Sequence, residues 1–304
     1  MEADLLATIL SAPFFAAAIR SAAPIMGAAA GEAIYERSGV VNIGLEGMML
    51  MGAFCGVLGS MYTGSAWGGA LFAVAGGVLV GIVHAVICIS FRADQILAGI
   101  AVNFGVLGLT AFLSRSYFGP SPDPVRIFAP TQWPLLSSIP FVGDVFFRHI
   151  PLVYIIALLC VLAWAFLFFT LPGLRLRAVG ENPFAARAAG IGTVRYAYAG
   201  AVICGAMAGL SGACYSIGSV QYFSENMTAS NGFIALAVVI VARRNPLYAI
   251  GASFVFAIGT ALALRLQGRD SIIPYEFFLM LPYVLTLIIY GALGRRGKVE
   301  AARA

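Results

Sequence analysis

Apolar runs about the length of a bilayer crossing, separated by short clusters of charge, proline and glycine, make up most of the chain. Breaks at those clusters leave apolar segments near 13–34, 43–63, 66–90, 95–113, 150–171, 197–217, 229–242, 246–264 and 273–293. A helix needs roughly 20 apolar residues to cross the hydrocarbon core, so the pattern predicts about nine transmembrane helices. Residues 5–12 form an extra short helix, for ten, or extend the first; Pro13, Arg20 and Pro24 interrupt the pattern there. Stretches such as Leu152–Leu171 and Ala66–Ser90 are continuously apolar, whereas a barrel strand alternates in polarity over roughly 10 residues. The expected fold is therefore all-α, a polytopic helical membrane protein in which residues 1–304 form one transmembrane domain.

Two short polar, glycine-bearing segments resemble each other. Ser38-Gly39-Val40-Val41-Asn42-Ile43-Gly44-Leu45-Glu46-Gly47 leads into one helix, and Ala229-Ser230-Asn231-Gly232-Phe233-Ile234 leads into another. Each has one long span before it and two after it. The halves, about 13–113 and 197–293, are then joined by a single span at 150–171. One linking span forces the halves into opposite orientations, the layout of an inverted repeat, in which a substrate path runs near interrupted helices.

Composition agrees with this picture. Of 304 residues, 61% are hydrophobic and only 10% charged, with 35 glycines and a mean hydropathy of +0.94. A soluble domain carries charge on about a quarter of its residues, so a soluble fold is excluded. The net charge of +5 does not describe a nucleic-acid surface, because the charges flank the spans. Twelve of the 18 basic residues (Arg37, Arg92, Arg175, Arg177, Arg187, Arg195, Arg243, Arg244, Arg295, Arg296, Lys298, Arg303) fall on one side. Five (Arg115, Arg126, Arg148, Arg265, Arg269) fall on the other, with Arg20 inside the first segment. The positive-inside rule makes the first side cytoplasmic and places the C-terminus there. The five cysteines, Cys55, Cys88, Cys160, Cys204 and Cys214, lie in apolar segments, are odd in number and form no CxxC. They read as core residues, with no disulfide framework or metal site. Glu2 and Asp4 stand where a cleavable signal would be basic, so no processing is expected.

The longest connection on the basic side, Pro172 to Ile191 within the segment 172–196, contains a local helix signature. Asn182 suits an N-cap, Pro183 the first helical position and Gly190 the position just past the end. Such a helix outside the membrane is either an ordinary loop helix or one that docks on a partner. Asn42 and Glu46, four residues apart, are expected on one helical face, with Glu46 favoured by the helix dipole and partnered by Glu32, Glu36 or Arg37. Asn103, His84 and Glu276 are further polar groups in or near spans, and His84 reads as a packing residue. No catalytic set is legible. Five glycine pairs with GxxxG spacing (Gly27/Gly31, Gly52/Gly56, Gly64/Gly68, Gly77/Gly81, Gly205/Gly209) indicate close helix packing. The loop Ser114–His149, rich in proline and aromatics, either caps the outer mouth or meets a partner. No P-loop is present, since Gly291 to Lys298 has the wrong spacing and Val299 where Ser or Thr is required.

The run Gly31-Glu32-Ala33-Ile34-Tyr35-Glu36-Arg37-Ser38-Gly39-Val40-Val41-Asn42-Ile43-Gly44-Leu45-Glu46-Gly47-Met48-Met49-Leu50 resembles the permeases of bacterial ABC importers in the branched-chain amino acid, ribose and nucleoside class. It is most similar to those serving nucleosides with a basic-membrane-protein type binding protein. A second match, Arg177-Ala178-Val179-Gly180-Glu181-Asn182-Pro183 through Arg187 and Ile191, resembles the family's coupling segment. The resemblance implies a permease in the bacterial inner membrane, paired with a second related permease and fed by an extracytoplasmic binding protein. It also implies a cytoplasmic ABC ATPase, so that ATP is used by a separate subunit and this chain needs no cofactor. It assigns Glu181, Asn182, Pro183, Ala186, Arg187 and Gly190 to the coupling helix and places Asn42 and Glu46 where a polar motif enters the membrane. The candidate residues of a substrate path are Asn42, Glu46, Asn103, Asn231 and Phe233, of which the amides and the ring are neutral groups. The alternative, a secondary transporter or channel, would need intramembrane ionisable residues, for which Glu46, Glu276 and His84 are the candidates.

Overall fold

The computed structural model describes residues 11–119, 124–134, 136–266, 280 and 284. The expected spans meet helices α1 (Ala12–Glu36), α2 (Leu45–Thr63), α3 (Ala66–Ala85, continued as a π turn over Val86–Ser90) and α4 (Gln95–Tyr117). After a loop containing the short helix α5 (Val142–Phe146) come α6 (Pro151–Phe169), α7 (Leu171–Glu181), α8 (Pro183–Ala188), α9 (Thr193–Tyr215), α10 (Asn231–Val241) and α11 (Pro246–Leu266). Seven of these are long and apolar enough to cross a bilayer. A two-residue antiparallel pairing, β1 (Thr131–Gln132) with β2 (Arg148–His149), is the only sheet among the described residues. The segment 273–293, save two positions, and residues 5–10 lie outside the described residues.

One expected span is corrected. Residues 229–242 form only α10, whose 11 residues reach about 16 Å, half the hydrocarbon thickness. The chain before it, Ser216–Ser230, is irregular, with Asn226, Ala229 and Ser230 at positive φ.

Helices α2, α3 and α9 pack backbone to backbone. Gly52 lies against the main chain of Gly209, Gly77 against Gly205 and Gly209, and Gly212 against that of Met49, so a methyl group at any of them would overlap a neighbour's backbone. Three of the GxxxG pairs thus belong to this trio. Gly27 and Gly31 bring α1 onto α6 and α9, whereas Gly64 is the left-handed C-cap of α2. Lipid supplies no hydrophobic drive between helices, so close approach through small residues carries their association. Helices α4 and α6 lie at the periphery and expose Phe104, Phe112, Leu158 and Leu162.

The long loop lies along the end of the bundle opposite α7 and α8. Val125 N donates to Gln221 O at 2.9 Å and Phe128 N to Ile217 O at 3.0 Å, and Arg115 pairs with Glu225 at 2.8 Å.

Candidate functional site

Two interrupted segments meet inside the bundle. The first, Arg37–Gly44, leaves helix geometry through Gly39 at φ +92°. Its first amides still bond back into α1, Arg37 N to Ala33 O, Ser38 N to Tyr35 O and Gly39 N to Glu36 O, whereas those that follow must find partners elsewhere in the protein. Asn42 N donates to Glu32 Oε1 at 3.0 Å and Asn42 Nδ2 to Glu32 Oε2 at 2.9 Å. Cys204 Sγ also donates to Glu32 Oε2, at 3.2 Å. Val41 N donates to Gln95 Oε1 at 2.8 Å. Asn103 serves both partners at once, accepting from Gly47 N at 2.7 Å and donating to Ile43 O at 2.8 Å.

The second segment ends on Glu46. Its carboxylate accepts from Thr228 Oγ1 at 2.6 Å, Ser230 N at 3.0 Å and Gly232 N at 2.6 Å. Glu46 lies in the first turn of α2 and at the N-terminus of α10, so one buried anion faces the positive ends of two helix dipoles. Gly232 is required there, because a Cβ would stand 2.5 Å from the Glu46 Cα. Asn231 Nδ2 donates to Thr228 O at 2.8 Å, closing the turn that launches α10.

The expected common face of Asn42 and Glu46 does not exist. Helix α2 begins only at Leu45, so Asn42 sits in the turn and faces Glu32, while Glu46 faces the other half of the chain. The partners expected for Glu46, namely Glu32, Glu36 and Arg37, are elsewhere, and Glu36 instead pairs with Arg244 at 2.8 Å. Of the neutral candidates, Asn42 is fully buried, Asn103 and Asn231 are half-buried, and Phe233 is exposed. His84 is buried between Tyr35 Oη at 3.3 Å and Cys88 Sγ at 3.5 Å, as a packing residue would be. Glu276 lies outside the described residues. Sequence reasoning missed Gln95, Thr228 and Ser230 as partners; the polar run Thr228–Asn231 ahead of an apolar stretch was the available cap signal.

At the opposite end from the long loop, α7 and α8 form a platform. An 11-residue helix, α7, precedes the expected short one. Asn182 Oδ1 then accepts from Phe184 N at 3.1 Å and Ala185 N at 3.0 Å, Pro183 opens α8, and Gly190 at φ +76° ends it. Gly190 N bonds Arg187 O at 2.9 Å and Ile191 N bonds Ala186 O at 3.0 Å, a Schellman-like stop. Ala186 is buried, Glu181 and Arg187 are exposed, and the Arg187 guanidinium lies over the exposed Phe184 ring at 5.4 Å.

This platform rests on the first interrupted segment. Gly180 packs against the main chain of Arg37 and Gly39. Arg37 donates from Nε to Arg244 O at 3.2 Å and from Nη2 to Arg243 O at 3.4 Å, gripping the turn that ends α10. The Arg37 and Arg177 guanidiniums both stack on Phe168. Burial lowers the pKa of Arg37, with Arg177 and Arg244 adding to it and Glu181 opposing them. A cleft of about 370 Å³ beside it is lined by Ser38, Arg92, Gly180, Pro183, Arg187 and Thr193, among others. Arginines assigned to one side of the membrane by sequence thus converge at one end of the bundle.

The family described as branched-chain amino acid transport system, permease component, matches residues 14–290. The chain belongs to this permease family. Among curated relatives, this permease is 38% identical to the guanosine ABC transporter permease protein NupQ of Bacillus subtilis (strain 168), over 92% of each chain. It is 36% identical to the nucleoside ABC transporter permease protein NupC of Lactococcus lactis subsp. cremoris (strain MG1363), over 88% of this chain and 87% of that one. A second Bacillus subtilis protein, the guanosine ABC transporter permease protein NupP, is 27% identical over 82% of this chain and 70% of its own. The permease is thus a multi-pass membrane subunit of an ABC transporter, a class that works with an ATPase.

Proposed function

We propose that this permease moves a nucleoside, or a related purine or sugar, across a bacterial plasma membrane. The cargo arrives from an extracytoplasmic binding protein, and a cytoplasmic ABC ATPase alone consumes the ATP. The observation that carries this reading is the 38% identity, along 92% of both chains, to a guanosine permease. The groups at the junction fit a neutral cargo: the side-chain oxygen of Asn231 can accept a hydrogen bond and the exposed ring of Phe233 can stack, whereas Asn103 holds Gly47 N and Ile43 O. Glu46, with three donors already on it, is a structural anion rather than a cargo contact. Two related guanosine permeases in one organism support a heterodimeric arrangement.

In this reading Glu181, Asn182, Pro183, Ala186, Arg187 and Gly190 dock on the ATPase. A push on α8 passes through Gly180 to Arg37 and Gly39, and from Arg37 to the turn at Arg243 and Arg244. One displacement therefore reaches the start of the first interrupted segment and the end of α10 together. The platform and the C-terminus are cytoplasmic, and residues 13–113 and 197–293 are inverted repeats. The meeting of the α2 and α10 N-termini at Glu46 supports that symmetry. Uptake of labelled uridine, adenosine, ribose and leucine by cells expressing the whole system tests the cargo. Nucleoside uptake is the expected result; uptake of leucine or ribose without nucleosides would sink the cargo assignment and leave the permease itself standing.

A further inference from the structure

The loop before α6 has two faces of opposite chemistry. In α5, Val142 and Phe146 are one turn apart on one side and are 40% and 54% exposed. Asp144, about 200° around the helix from Val142, pairs with Arg148, and Arg148 also donates to Ser137 O at 3.1 Å. Between these faces Gly143 is buried against the main chain of Leu136 and Ser137 and Val145 is buried, and α5 packs on α1. Phe141, exposed beside Val142, meets Phe15 of α1 edge-on at 6.0 Å. An apolar face and a charged face, both uncovered, on one anchored turn match a lipid–water boundary, where one side sits in acyl chains and the other in water.

The depth of the loop is also fixed. Tyr154, in the first turn of α6, donates from its hydroxyl to Phe146 O at 2.9 Å and accepts from His149 N at 3.3 Å. Trp133 packs edge-on against the Tyr154 ring at 6.0 Å. Tryptophan and tyrosine at the end of a span mark the headgroup level, and Tyr154 ties α5 to that level. Phe146 also lines an apolar recess with Ile19 of α1, Val153 and Ala157 of α6 and Phe254 of α11, so its face opens onto the membrane-spanning helices and away from the charged pair.

We propose that residues 136–147 form an interfacial element seated in the adjacent lipid leaflet. Val142 and Phe146 contact acyl chains, and the Asp144–Arg148 pair faces water. The lipid surface, rather than a delivering protein or a second permease, is the occupant of this patch. The test is nitroxide labelling of V142C, F146C and D144C in the assembled transporter in phosphatidylcholine vesicles. The parent chain, with its own cysteines, sets the background. Relaxation by dissolved oxygen should exceed relaxation by a water-soluble nickel chelate several-fold at V142C and F146C, with the order reversed at D144C. Stronger relaxation by the chelate at V142C and F146C would place the patch in water and overturn the proposal. Shielding from both reagents that disappears when a partner subunit is withdrawn would assign it to protein and also overturn it. Two labelling positions one turn apart keep the measurement decisive if one variant fails to assemble.

Discussion

Glu46→Ala withdraws a carboxylate that accepts from Thr228 Oγ1, Ser230 N and Gly232 N at 2.6–3.0 Å. Each hydrogen bond to a charged acceptor contributes about 1.5–3 kcal/mol net, and a buried donor left without an acceptor costs a similar amount. Removing the desolvated anion offsets part of that, so we predict a loss of about 3–5 kcal/mol, the range for breaking a buried charged partnership. Glu46→Gln keeps the shape but turns an amide NH₂ toward one set of donors. It should lose about 1–3 kcal/mol, because one oxygen can still accept. Gly232→Ala should resemble Glu46→Ala, since its methyl would stand 2.5 Å from the Glu46 Cα and 2.6 Å from its main-chain nitrogen. The assay is thermal unfolding of the detergent-solubilised chain followed by size exclusion. The order expected is wild type, then Gln, then Ala, with the Ala midpoint lower on the order of 10 °C. A Glu46→Ala midpoint equal to wild type would refute the junction as described, since an exposed carboxylate could be lost for almost nothing.

Three further outcomes are expected. Arg187→Glu and Pro183→Gly should each leave ATP hydrolysis running in the assembled complex while transport falls; full uptake in both would return α8 to an ordinary loop helix. Gly77→Leu should abolish the monodisperse folded peak on size exclusion, because its side chain would enter the main chain of Gly205 and Gly209, whereas Gly105→Leu, with open space around it, should leave that peak in place. Cysteines placed at 187 and 298 should resist an impermeant reagent in intact cells, and efficient labelling of both would reverse the assigned topology.

What the sequence made legible follows the range of the interactions. Helices α1 to α4, α6, α9 and α11 were visible because burial in lipid needs an unbroken apolar run, which is a local property. The Asn182-Pro183 start and Gly190 stop of α8 were equally visible, since the cap, the fixed φ and the left-handed residue act within eight positions. Asn42 was misread because spacing alone does not say where α2 begins, and a start at Leu45 puts Asn42 in a turn. Glu46 was expected to have a partner, yet Thr228 is 182 residues away and nothing local in the chain names it. Helix α10 looked like a full span because residues 229–242 are apolar, whereas its shortness is set by the irregular run ahead of it. The glycine pairs announced close packing, but only the fold assigned Gly52, Gly77, Gly205 and Gly209 to a common trio.

The backbone contacts within that trio also decide where movement can occur. Side chains in contact can exchange rotamers and let helices slide, but a main-chain surface such as Gly77 on Gly205 has no rotamers to exchange. Helices α2, α3 and α9 are therefore locked to one another through their main chains. Helix α10 is joined to its neighbours differently, through side chains such as Ile234, Val238 and Val239 and through the hydrogen bonds that Glu46 makes to Ser230 and Gly232. Glu46, rooted in the trio, is thus the point where its unyielding backbone surface hands over to contacts that side chains and hydrogen bonds carry.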